Sequence, residues 1–164
     1  MDLKNKILFA KLNERAIIPT KRVEDAGYDL YALIDKNIVL KSGGIYKFKT
    51  GICSAFGNEY VVLAQERGST GTICASLRCG VIDSGYRGEW MIPINNTGKK
   101  KIVITNDVDK VIDNQLCTYY PASKAIAQFL VLPVPKLNIV EVTPEDIQAI
   151  SSERSIGKLG SSGK

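Results

Sequence analysis

The sequence predicts an all-β sandwich or barrel, and two observations carry that prediction. Short runs rich in β-branched and aromatic residues recur along the chain, punctuated by Gly, Asn, Asp and Pro. Only one stretch carries the chemistry of a helix start.

The expected strands are Ile7 to Leu12, Ile38 to Lys41, Tyr46 to Thr50, Tyr60 to Gln65, Gly88 to Ile94 and Ile102 to Thr105, then Ile126 to Val134 and Leu137 to Val142. Ser42-Gly43-Gly44 and Asn96-Thr97-Gly98 supply the positive-φ positions of tight turns. One short helix is expected over Pro144 to Ile150. Thr143 is its N-cap, Pro144 its first residue, and Glu145 and Asp146 sit where the helix dipole favours anions. There is no internal repeat or linker. The 164 residues suit a single β domain at 1–151 and a flexible Gly/Ser-rich C-terminal tail at 152–164.

Composition removes several function classes. No apolar run approaches the ~20 residues that span a bilayer, and the start, MDLKNKILFAKL, is too charged for a signal peptide. A cytoplasmic location without membrane contact follows as the expectation. Cys53, Cys74, Cys79 and Cys117 form no CxxC pair and read as reduced thiols partly packed in strands. The chain has no histidine, which excludes Ser-His-Asp and Cys-His triads and imidazole metal ligands. Acid–base work therefore falls to a carboxylate, lysine or tyrosine, and any metal must be a hard ion held by oxygen. The net charge of +5 is spread along the chain, and its one basic run, Lys99 to Lys101, reads as a solvated turn rather than a nucleic-acid patch.

Four segments gather Gly, Asp, Arg and Ser beyond what a plain β fold requires. In DAGYDLYA (Asp25 to Ala32), Asp29 suits a capped turn or a ligand position. In ERGSTG (Glu66 to Gly71), Arg67, Ser69 and two glycines could wrap an anion or simply form a loop. In GVIDSGYRGEW (Gly80 to Trp90), Asp83 ends an apolar run and Ser84-Gly85 turns the chain. Read as a hairpin, it projects an acid and an aromatic, Tyr86, from neighbouring positions. The tail SSERSIGKLGSSGK (Ser151 to Lys164) suits either disorder or a phosphate clamp. Asp107, Asp109 and Asp113 do not make a calcium loop, because Ile112 stands at the glycine position and Thr118 at the closing glutamate.

In their order, these segments resemble the motifs of the homotrimeric dUTPase family, deoxyuridine 5′-triphosphate nucleotidohydrolases. AGYDL is similar to the first motif, ERGSTG to the second and GVIDSGYRGEW to the third. AIAQFLVLPV (Ala125 to Val134) is similar to the fourth and RSIGKLGSSG to the fifth, so the resemblance spans Ala26 to Gly163. It implies a distorted β-barrel or jelly roll. It also implies hydrolysis of dUTP to dUMP and pyrophosphate, which limits uracil in DNA and supplies dUMP for dTMP synthesis.

The same resemblance assigns roles. Asp83 would activate the water that attacks the α-phosphorus and contact the 3′-OH. Tyr86 would pack on the deoxyribose and exclude a 2′-OH. The backbone around Leu77, Gly80, Val81 and Ile82 would read uracil. Arg67, Gly68, Ser69 and Gln128 would hold phosphates, and Arg154, Leu159, Gly160, Ser161 and Ser162 would close over the substrate from the tail. Asp29 would hold, through water, the Mg²⁺ on the triphosphate. A homotrimer with shared active sites is implied. Several positions depart from the family pattern. Glu66-Arg67-Gly68-Ser69 replaces Pro-Arg-Ser-Gly, Ala125 replaces an arginine, which removes an ion pair, and Leu159 replaces the aromatic that stacks on uracil.

Three readings compete. A dCTP deaminase would need a glutamate on the strand after the hairpin, and Met91 to Asn95 offers none beyond Glu89. A regulator acting through a protein partner would draw on Lys99 to Ser123, a segment longer than the compact family pattern and expected to form an added hairpin or loop. A plain structural β domain leaves the five motifs without a reason.

Overall fold

The computed structural model describes residues 3–78, 80–107, 114–153 and 155–156. It divides into two units, Met1–Val134 and Pro135–Lys164. The first is all β apart from one helical turn. Its strands are β1 (Ile7–Lys11), β2 (Tyr28–Leu30), β3 (Ile38–Leu40), β4 (Ile45–Lys49), β5 (Ile52–Phe56) and β6 (Tyr60–Gln65). After the turn α1 (Gly68–Gly71) come β7 (Ala75–Leu77), β8 (Val81–Ile82), β9 (Met91–Asn96), β10 (Lys101–Thr105), β11 (Cys117–Pro121) and β12 (Ala127–Pro133).

These strands pair as β1-β5, β11-β10-β3, β2-β12-β6-β8 and β4-β9-β7. Neighbours in space are seldom neighbours in sequence, as in jelly rolls, and the four sheets enclose one core. Trp90, Phe48, Phe56 and Phe129 are its largest fully buried side chains. Phe129 meets Trp90 edge-on at 5.3 Å between ring centroids and stacks on Tyr28 at 5.0 Å, joining β12, β2 and the start of β9.

Strand β9 holds the fold together and shows almost no alternation, because Ile92 to Asn96 are all buried. Its proline is tolerated for a local reason. Pro93 accepts from Arg78 N at 3.0 Å on the β7 side, where the β7 ladder has already ended at Leu77 opposite Ile94. The missing N–H faces that same end of β7, so the ladder with β4 loses no bond. The two asparagines that follow are buried and paired. Asn95 donates to the carbonyls of Gly43 and Gly44, both at 3.1 Å, and Asn96 to those of Leu40 (3.0 Å) and Lys100 (2.8 Å). Two turns are thereby pinned to one strand end.

Several expectations are corrected. Gly43 has φ +74° as the first turn requires, but Gly98 has no positive φ. Gly98 is instead a close-packing glycine, since a Cβ there would lie 2.9 Å from Cys74 Cβ. The positive φ of that region belongs to Cys74 itself, at +61°. The 99–123 segment is no added hairpin: β10 and β11 pair in parallel, Lys101 opposite Cys117 through Thr105 opposite Pro121. A parallel partner needs a crossing connection rather than a tight turn. Cys53, Cys74 and Cys117 are free thiols, two of them in strands and Cys74 exposed in a loop.

The second unit carries the expected helix, α2 (Pro144–Ala149). Thr143 Oγ1 accepts from Asp146 N at 3.2 Å, and Asp146 accepts from Thr143 N at 3.0 Å. The Thr143 hydroxyl, which donates to Asp146 Oδ2 at 2.7 Å, and then the Thr143 amide hold the Asp146 carboxyl below its ordinary range. Leu137 to Val142, expected as a strand, pairs with no strand of the described residues, and Leu137, Ile139, Val140 and Val142 are exposed. Alternating apolar residues form a strand only where a neighbour offers its ladder. Among the described residues no helix is long and apolar enough to cross a membrane.

Candidate active site

The Gly80 to Trp90 segment is a link between sheets, not a hairpin. β8 pairs with β6 (Val62 opposite Ile82, Leu63 opposite Val81), whereas β9 pairs with β4 and β7. Between them Tyr86 N donates to Asp83 O at 3.0 Å, closing a turn centred on Ser84-Gly85. The turn sets the Asp83 carboxylate and the Tyr86 ring side by side, both exposed, as the sequence had suggested.

The ring of Tyr86 is fixed from below. Its hydroxyl donates to Glu89 O at 2.9 Å, and the ring lies over Gly88, where a Cβ would meet Tyr86 Cε2 at 2.9 Å. Glu89 Oε1 accepts from Gly51 N at 2.8 Å, and Trp90 N donates to Ile52 O at 2.9 Å, so the far end is anchored to β5. That engagement occupies the one carboxylate a deaminase reading could have used. Asp83, Tyr86, Val81, Ile82, Trp90 and Met91 line a pocket of about 220 Å³, with Ala64 between them.

A second, polar cleft of about 780 Å³ holds three of the other expected residues, Asp29, Arg67 and Gln128. Arg67 Nε lies 3.0 Å from Asp29 Oδ1, both side chains being 31% exposed. Arg67 Nη1 also donates to Ala125 O at 3.3 Å, so the carbonyl of the residue that replaces the family arginine is occupied by Arg67 instead. Gln128 Nε2 donates to Glu66 O at 2.8 Å. The opposite end of that amide lies against Gly27, where a Cβ would overlap Gln128 Oε1. Gly27→Ala should therefore displace the flexible Gln128 amide at little cost, Tm falling only a few degrees by calorimetry.

Gly68 and Ser69 lie on α1, a single turn wound about Thr70, which is 1% exposed. Thr70 Oγ1 accepts from Arg67 N and donates to Arg67 O, both at 3.1 Å. Ser69 Oγ lies 3.1 Å from the Tyr120 hydroxyl, which itself donates to Ala125 O at 2.7 Å. Leu77 and Gly80 do not line the small pocket. Arg154, Leu159, Gly160, Ser161 and Ser162 lie outside the described residues.

Sequence reasoning missed three charged groups at the polar cleft. Lys21, Arg22 and Asp25 also line it, and Arg22 Nε lies 2.9 Å from Asp25 Oδ2. Hydrogen bonding from Arg22 lowers the Asp25 carboxyl, and the same contact raises the Arg22 guanidinium. The phenol of Tyr31 is pushed above its ordinary range, chiefly by burial and then by the Asp29 charge. The clustered charges of Lys21-Arg22 ahead of AGYDL were the signal available in the sequence.

Among the described residues no three His, Cys, Asp or Glu side chains gather into a metal cage. Asp29, in a wide polar cleft that Asp25 also lines, does fit Mg²⁺, which keeps most of its waters and takes its other ligands from phosphate oxygens.

The β fold thus sets an exposed acid and an aromatic over a small pocket, and a separate polar cleft gathers three cations and two carboxylates. Comparison with known proteins is more specific. The dUTPase family model matches residues 13–111. The deoxyuridine 5′-triphosphate nucleotidohydrolase of Clostridioides difficile is 33% identical over 93% of this chain and 94% of its own. That of Gloeobacter violaceus is 32% identical over 85% and 83%. Among solved structures, the dUTPase of Staphylococcus bacteriophage 80alpha with dUpNHpp superposes with a TM-score of 0.73 at 25% identity, covering 98% of this chain and 99% of that one. The dUTPase of phage phi11 of S. aureus, whose structure describes a structural Mg(II) ion, matches in fold with a TM-score of 0.67 at 22% identity, over 84% and 97%. The chain belongs to the dUTPase family, and is a hydrolase with the jelly-roll-like fold of its structural neighbours.

Proposed function

We propose that this protein hydrolyses dUTP to dUMP and pyrophosphate, with Asp83 as the base, and so limits uracil in DNA and supplies dUMP for dTMP synthesis. The observation that carries the reading is the Asp83–Tyr86 turn on the rim of the small pocket. Asp83 orients a water and accepts its proton as the water oxygen bonds to the α-phosphorus. The bond from that phosphorus to the bridging oxygen breaks, and pyrophosphate leaves. A carboxylate suffices because phosphoryl substitution rests mainly on positioning and charge neutralisation. Tyr86, held by its bond to Glu89 O, packs on the deoxyribose and leaves no partner for a 2′-OH, which would be buried unpaired. The backbone of Leu77, Gly80, Val81 and Ile82 reads uracil.

Arg67, Gly68, Ser69 and Gln128 hold the phosphates, with Arg67 leaving Asp29 to do so. Asp29 would hold, through water, a Mg²⁺ ion that supplies charge neutralisation on the triphosphate. Arg154, Leu159, Gly160, Ser161 and Ser162, on a tail spanning 152–164, close over the substrate of a domain spanning 1–151.

A homotrimer with shared active sites agrees with the separation of the two clefts. They have no lining residue in common. Asp29 on β2 and Ile82 on β8 lie at opposite edges of one four-stranded sheet. Three strand spacings separate those edges, about 14 Å.

The test is to offer purified protein each nucleoside triphosphate with Mg²⁺ and to measure pyrophosphate and ammonia. Pyrophosphate is expected from dUTP and not from UTP or the other deoxynucleotides. Ammonia released from dCTP would overturn the reading. In the same assay a chain ending at Ser151 should fold yet lose at least about 90% of turnover, since lids commonly complete such sites. Full turnover would remove the tail from the mechanism.

A further inference from the structure

The geometry points to Glu66 as a positioning residue that ties the base-reading segment to the phosphate-holding cleft. It stands where the family pattern has proline, so nothing in the motif resemblance assigns it a role.

Glu66 follows the last residue of β6 and precedes Arg67, the residue that opens α1. Its carboxylate reaches across to another sheet, where Oε1 accepts from Leu77 N at 2.9 Å. That donor would otherwise have no strand to meet. Arg78 N donates to Pro93 O, so in an alternating antiparallel ladder the Leu77 N–H points away from β9. On its main chain the same residue accepts from Gln128 Nε2 at 2.8 Å. One half-buried residue thus touches the start of the Leu77–Ile82 segment, the Arg67 turn and the Gln128 amide.

The Leu77 contact reaches the segment that leads into the small pocket, and the Arg67 and Gln128 contacts reach residues of the polar cleft, while the two clefts share no lining residue. Glu66 sets the distance between them. A proline at this position could make the main-chain contact but has no carboxylate to hold Leu77.

This inference rests on the dUTPase reading, and the experiment separates the two. Turnover of dUTP by the unaltered protein tests the reading. Glu66→Ala and Glu66→Gln test the link, through KM and kcat for dUTP and through inhibition constants for dUMP and for pyrophosphate. Losing a charge-assisted bond to an otherwise unpaired amide should raise KM and both inhibition constants about tenfold in Glu66→Ala, with kcat within about threefold. Glu66→Gln keeps an acceptor at the same reach and should return all three constants to within about threefold of the unaltered protein. Hydrogen exchange at the Leu77 amide supplies a readout independent of activity. It should be slow in the unaltered protein and in Glu66→Gln, and at least about tenfold faster in Glu66→Ala. Unchanged constants in Glu66→Ala, a change in one inhibition constant alone, failure of glutamine to rescue, or fast exchange in the unaltered protein would each overturn the link. If Glu66→Ala does not fold, Glu66→Asp, one methylene too short to reach Leu77, carries the same expectation.

Discussion

Asp83→Asn should lower kcat for dUTP by about 10²–10⁴-fold, the range that a positioned general base contributes. Asparagine is nearly isosteric and still accepts a hydrogen bond, so a water can remain in place. It cannot take the proton that the attacking water must lose. The turn itself should survive, because its closing bond runs from Tyr86 N to the Asp83 carbonyl, and the side chain is exposed with no hydrogen bond the fold relies on. KM and the affinity for a non-hydrolysable dUTP analogue should stay within about threefold, which locates the loss in the transition state. Single-turnover pyrophosphate release alongside analogue titration makes the measurement. A variant with full turnover would strip Asp83 of its role, and one that lost binding as steeply as turnover would make it a ligand contact.

Gly80→Ala should be the most damaging change that touches no reacting atom. A Cβ at Gly80 would lie 2.6 Å from the Ala64 carbonyl oxygen. That neighbour is backbone of β6 and cannot swing aside. Nor can the segment simply drift outward, since Ala64 N donates to Gly80 O at 2.7 Å. Two-residue β8 follows at once, so the shift is passed to Ile82 and Asp83. Overpacking of this kind costs about 1–3 kcal/mol. For a chain of this size that is a Tm loss of roughly 2–4 °C for each kcal/mol. KM should rise at least about tenfold through the displaced base-reading backbone. Calorimetry and initial rates measure both. Normal KM with normal Tm would mean that the close approach at Gly80 is not needed.

Much of this arrangement was legible in the residues, and the failures have physical causes. Tyr60–Gln65 could be placed to the residue because a short apolar run is bounded on both sides by turn and charged residues. Strand β5 escaped notice because one inward position is Ser54, buried at 4% and tolerated only because its hydroxyl accepts from Trp90 Nε1 at 3.1 Å. Strand β8 has two residues and exists only through its pairing with β6, which no local pattern encodes. The same distinction runs through the site. The nearness of Asp83 and Tyr86 is a property of one turn, so Ser84-Gly85 announced it. The bond from Glu66 to Leu77 depends on two sheets approaching each other, and a glutamate ahead of an arginine carries no sign of that. Charge clustering at Lys21-Arg22 was visible, but its address beside Arg67 required β2 to be set next to β12.

The pairing of β2 with β12 also has a consequence for how the protein is made. Asp29 lies opposite Gln128, and β12 is the only strand that β2 pairs with among the described residues. During synthesis the ribosome releases Asp29 almost a hundred residues before the partner that holds it. Strand β6 likewise waits for β12 along its full length, Gln65 opposite Gln128 to Tyr60 opposite Pro133. The polar cleft is thus completed by the last of the described strands to emerge. Contacts so distant in sequence place folding in the slow, milliseconds-to-seconds range of non-local β topologies.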